Sequence, residues 1–105
     1  MRITVSHTKP KDEVIRAVDR SFDDLFRNNT LIPLQIVNEQ RSWQGSTLMF
    51  SFTAKMGILS SPIKGFVEVT ERDVTIDADL GLLERLIPGK RVSASIEQNV
   101  RGLLE

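Results

Sequence analysis

The chain has 105 residues, 40% hydrophobic and 27% charged, a mixture that suits one globular domain and argues against disorder over most of its length. Fourteen Lys and Arg balance fourteen Asp and Glu, so no surplus of cations exists for non-specific nucleic-acid binding, and no net charge keeps copies apart. The absence of cysteine excludes a disulfide framework, a thiol nucleophile and a thiolate metal site.

The opening residues Met1-Arg2-Ile3-Thr4-Val5-Ser6 lack the apolar stretch and small-residue cleavage site of a signal peptide. No apolar run approaches the ~20 residues that span a bilayer, so a cytoplasmic protein without a membrane span is expected. Ile3 and Val5 alternate with polar neighbours and predict a short first strand. Thr8 offers a helix N-cap, Pro10 suits a first turn, and Asp12 and Glu13 complement the positive end of a helix dipole. Val14, Ile15, Val18, Phe22, Leu25 and Phe26 recur at helical spacing, which predicts a helix over about residues 10–27. Asn28-Asn29 is read as its stop, and Pro33 falls in the connection that follows.

Residues 34–43 read as a strand of weaker alternation, and Gln44-Gly45 as a tight turn. The clearest pattern comes next. Leu48, Phe50, Phe52, Ala54 and Met56 share one face of a strand, and Thr47, Met49, Ser51, Thr53 and Lys55 the other. Residues 57–62 read as a loop. Ile63, Gly65, Val67 and Val69 then alternate with Lys64, Phe66 and Glu68, and Glu71-Arg72-Asp73 is a hairpin loop. Val74, Ile76, Ala78 and Leu80 alternate with Thr75, Asp77 and Asp79 in a last strand. Residues 81–87 suit a short helical turn, and Val92, Ile96, Val100 and Leu103 mark an amphipathic helix running to Leu104.

The order β-α-β-β-β-β-α, with one apolar stripe per helix and one apolar face per strand, predicts a single-domain α+β fold. It has two layers, with both helices on one face of a curved antiparallel sheet, in a shortened helix-grip-like arrangement. Folds of that kind can hold an apolar small molecule between sheet and last helix; the residues placed to line such a pocket are Phe52, Met56, Ile63 and Ile96.

No residue set reads as catalytic, metal-binding or cofactor-binding, and no cofactor is expected. His7, the single histidine, stands at a strand–helix junction, where a structural or solvated role is the ordinary one and a general-base role needs a positioned partner. Glu68, Asp77 and Asp79 can share one sheet face, where carboxylates usually keep the surface wet but can also hold a hard cation. Pro88-Gly89-Lys90-Arg91 reads as helix initiation, with anion binding the alternative. Trp43 beside a turn is either an edge-packing residue or an anchor for a partner. Val37, Met49 and Phe66 lie opposite the apolar stripe of their strands. Clustered, they would form an interface for a homodimer or another protein.

The run Trp43-Gln44-Gly45-Ser46-Thr47-Leu48-Met49-Phe50 resembles the Trp-x-Gly-x-x-Leu-x-Phe segment of the polyhydroxyalkanoic acid system proteins, small bacterial proteins some of which are encoded near genes for polyester storage granules. The resemblance continues through Gly65-Phe66-Val67-Glu68-Val69, Val74, Leu80-Gly81-Leu82-Leu83 and the terminal helix, and His7 stands at the family's histidine position. It departs at Leu31-Ile32-Pro33 and Ser60-Ser61-Pro62. What it implies is a granule-associated, accessory or binding role without transferable catalytic residues. The partner would be a protein, a second copy or a granule surface.

Overall fold

The computed structural model describes residues 1–27, 35–86 and 89–105. The expected Asn28-Asn29 stop, the Pro33 connection and Pro88 lie outside these residues, as do the side chains of Leu25, Phe26 and Lys90. In chain order the elements are β1 (Arg2–Ser6), α1 (Lys11–Arg27), β2 (Gln35–Gln44), β3 (Thr47–Met56), β4 (Leu59–Val69), β5 (Asp73–Asp79), α2 (Leu83–Leu86) and α3 (Gly89–Leu104). The strands form an open, wholly antiparallel sheet in the order β1-β5-β4-β3-β2. This is the expected α+β arrangement.

The topology follows from two kinds of connection. β2 to β5 is a meander of hairpins, which needs only tight turns. β1 and β2 are opposite edges, so α1 must carry the chain across the sheet. That crossing lays its apolar stripe (Val14, Val18, Phe22) on the sheet, and α3 adds Val92, Ile96 and Val100 beside it. The first helical bond runs from the Val14 amide to the Pro10 carbonyl, so Pro10 is the N-cap and the helix starts at Lys11. Thr8 is not the cap that its position suggests.

The inner face is what alternation predicts. Leu48, Phe50, Phe52 and Ala54 of β3 are buried, as are Ile63, Val67 and Val69 of β4 and Val74, Ile76 and Ala78 of β5. Phe50 meets Phe22 edge-on, with ring centroids 5.0 Å apart and planes at 61°, and lies near Phe52 at 6.0 Å. Gly65 pairs with Phe50 on one side and Ala78 on the other. A Cβ there would fall on the Asp77 carbonyl oxygen and come within 2.8 Å of Ala78 Cα, so the close strand approach requires glycine.

A second expectation is overturned. Residues 57–62 are not a loop: Met56 pairs with Leu59, and only Gly57-Ile58 turns the chain. Gly57 has φ +59°, the sign that two-residue hairpin loops need to match strand twist. Ser60-Ser61-Pro62 looks like turn chemistry, yet Pro62 is tolerated inside β4. Its pairing is with Thr53 alone, because β5 joins β4 only from Lys64 onward, leaving no ladder bond on that side for Pro62 to break.

Candidate functional site: the β3–β4 hairpin end and the open sheet face

The polar candidates resolve into structural roles. His7 is buried at 9% exposure. Its Nδ1 accepts the Lys9 amide at 3.2 Å, which leaves the proton on Nε2, 2.9 Å from the Thr70 carbonyl oxygen that accepts it. Nε2 thus ties the β1–α1 junction to the β4–β5 loop, while Nδ1 braces the junction itself. Trp43 is half-buried, and its indole N–H donates to Asp19 Oδ1 at 3.0 Å, fastening β2 to α1. Arg41 works beside it, donating to the Asp19 carbonyl at 3.1 Å with its guanidinium 5.4 Å from the Phe22 ring centroid. This is the edge-packing role.

Glu68, Asp77 and Asp79 do share the outer face, but they are spread along it. Asp77 pairs with Arg2 at 3.3 Å, Asp79 accepts the Gly81 amide, and Glu68 sits opposite Thr75. Among the described residues no three His, Asp or Glu side chains converge on a common point. Arg91 is exposed at the start of α3, and the rest of that motif is outside the described side chains.

The open face bears the three expected interface residues, and the register sorts them. Met49 lies directly opposite Phe66, flanked by Ser42 on one side and Asp77 on the other. Met49 is 43% exposed. Val37 is on the same face but does not join them. It pairs with Thr53, four residues from Met49, or about 13 Å along the strand. A rung of Gln40 and Ser51 intervenes, and a register shift with Asn38 at φ +56° separates Val37 from that rung. The face is therefore polar around one Met–Phe pair.

The four residues expected to line a ligand pocket are divided as well. Phe52, Ile63 and Ile96 belong to the packed core, each at most 4% exposed. Met56 is half-buried and lines a hollow with Ala54, Leu59, Leu82 and Leu83. Its volume is about 10 Å³, against roughly 300 Å³ or more for small-molecule sites; Phe52 and Ile63 instead border an open depression of about 450 Å³ with Gln40, Thr53, Lys64 and Asp79, which neither Met56 nor Ile96 reaches.

That hollow marks a site the sequence reading missed. Ile58 at the hairpin turn is fully exposed at 102%, and Leu59 and Leu82 are about half exposed. Leu59 and Leu82 are 23 positions apart in sequence yet border the same hollow. Ser61 brings them together. It is 2% exposed; its Oγ donates to the Leu80 carbonyl at 2.9 Å and accepts the Leu82 amide at 2.9 Å. Gly81 between them has φ +58°, and a Cβ there would stand 2.6 Å from Ser61 Oγ. The only available signal was Leu80-Gly81-Leu82 beside a serine-rich segment, and nothing local says that the two meet.

The chain is a small α+β domain with an antiparallel sheet, and three of its exposed large apolar side chains, Ile58, Leu59 and Leu82, lie at one hairpin end. Residues 1–104 match the family model described as "Putative polyhydroxyalkanoic acid system protein", and the chain belongs to that family. No curated protein matches it. Among the described residues no helix is long and apolar enough to cross a membrane.

Proposed function

We propose that this chain is a non-enzymatic accessory protein of the polyhydroxyalkanoic acid system that acts by binding at the surface of storage granules. Family membership supplies the system. The observation that carries the mode of action is the placement of large apolar side chains. The core side chains are buried, while Met49, Ile58, Leu59 and Leu82 remain exposed, three of them at one hairpin end. Exposed apolar side chains gathered in this way favour contact with a partner surface over chemistry in a cleft. The test is co-sedimentation of the purified chain with isolated polyhydroxyalkanoate granules. Saturable binding is expected; a chain that stays in the supernatant at all granule concentrations refutes the reading.

A second reading concerns self-association. The Met49–Phe66 pair at the middle of the helix-free face favours a two-fold dimer built on that face, with Ser42 and Asp77 beside it and Val37 outside it.

A further inference from the structure

We infer that the end of the β3–β4 hairpin, together with the Leu82 turn, is an insertion element for an anionic lipid surface. The inference rests on reading the chain as a surface-binding protein and names the element and the chemistry.

Three observations support it. The apolar side chains are held out by the hairpin: Met56 and Leu59 are paired in register, the turn has two residues, and Gly57 sets its geometry. Ser61 locks Leu82 alongside, through the Leu80 carbonyl and the Leu82 amide. An exposed isoleucine on such a turn cannot fold back onto its own core, so its transfer free energy is available to an external apolar phase.

The charged side chains of the hairpin end itself are all cationic. Residues 40–67 contain Arg41, Lys55 and Lys64 and no Asp or Glu, although the whole chain is neutral. Lys64 faces Asp79 across β4–β5, and Arg41 lies beside Glu39, which leaves Lys55 as the exposed cation of the hairpin end, next to Met56. Arg85 is exposed on the α2 side. Glu84, the neighbouring acid, lies 3.7 Å from the Met1 amino group, and Asp79 accepts the Gly81 amide. Apolar side chains that project beside an exposed cation fit the boundary of acyl chains and anionic headgroups.

The size also selects the occupant. A stable protein interface buries roughly 800 Å² per partner over 20–30 residues. A hairpin turn with one adjoining leucine offers far less, but insertion into a fluid surface needs no complementary partner area.

The experiment uses the full chain with three surfaces: vesicles of phosphatidylglycerol mixed with phosphatidylcholine, vesicles of phosphatidylcholine alone, and bare polyhydroxyalkanoate particles. Binding to the anionic vesicles is expected, and Ile58→Asp should weaken it roughly 30-fold. Lys55→Gln should weaken it roughly fivefold on anionic vesicles and leave phosphatidylcholine unaffected. Both variants should melt like the wild type, because neither side chain is buried. Equal binding by wild type and Ile58→Asp, or no binding to vesicles, overturns the inference. Binding to bare particles without vesicle binding overturns it and leaves the granule reading standing; binding to neither surface overturns both. A dimer that Ile58→Asp dissociates would assign the hairpin end to a second copy and equally overturn it.

Discussion

Ser61→Ala is the substitution that best isolates how the hairpin end is held. The hydroxyl is 2% exposed and bridges two backbone groups of the Leu80–Leu82 turn, each at 2.9 Å. Removing it takes away no apolar contact. It deletes one donor to the Leu80 carbonyl and one acceptor for the Leu82 amide. A hydrogen bond contributes about 1 kcal/mol net, and a buried polar group left unsatisfied costs about 1–3 kcal/mol. The Leu80 carbonyl bond is buried and the Leu82 amide bond partly so, which lets water reach the amide after the change. The expected loss is therefore about 2 kcal/mol, near the middle of these ranges. For a domain of this length that lowers the melting temperature by roughly 10 °C. Urea denaturation of the wild type, Ser61→Ala and Ser60→Ala measures it directly. Ser60 is exposed on the opposite face of β4, and its variant should stay within about 0.5 kcal/mol of wild type. Hydrogen exchange gives a second reading, since the Leu82 amide should lose protection in Ser61→Ala. A loss below about 0.5 kcal/mol, with Leu82 still protected, would refute the claim that this hydroxyl holds the turn to the hairpin.

Phe50→Ala should cost about 4 kcal/mol in denaturant unfolding, from lost burial, a cavity and the edge-on contact with Phe22 5.0 Å away; a loss under about 1 kcal/mol would contradict the assigned inner face of β3. Phe66→Glu should convert a homodimer to monomers in sedimentation at micromolar concentration without unfolding, because Phe66 points away from the core between Met49 and Asp77. A strictly monomeric wild type would refute the open-face dimer.

Much of the fold was legible from local chemistry. Alternation in β3 and β5 identified the buried face of each, since the side-chain period of a strand is two and only one sheet face is covered by helices. The spacing of Val14, Val18 and Phe22, and of Val92, Ile96 and Val100, identified both long helices for the same kind of reason. The Trp43–Phe50 run and its neighbours were enough to indicate the family. Periodicity determines which way a side chain points and says nothing about its neighbours. The placement of β1 beside β5, the separation of Val37 from Met49 and Phe66, and the meeting of Leu59 with Leu82 all depend on register between distant segments. Ser60-Ser61-Pro62 reads locally as a loop, because serine and proline favour turns when nothing else acts on them. In the folded chain, pairing with Thr53, Ala54 and Lys55 made the segment a strand, and the buried Ser61 hydroxyl found its partners 19 and 21 positions away. Those long-range bonds place Leu82 beside the exposed hairpin, so the surface that carries the proposed function exists only once the tertiary fold has formed.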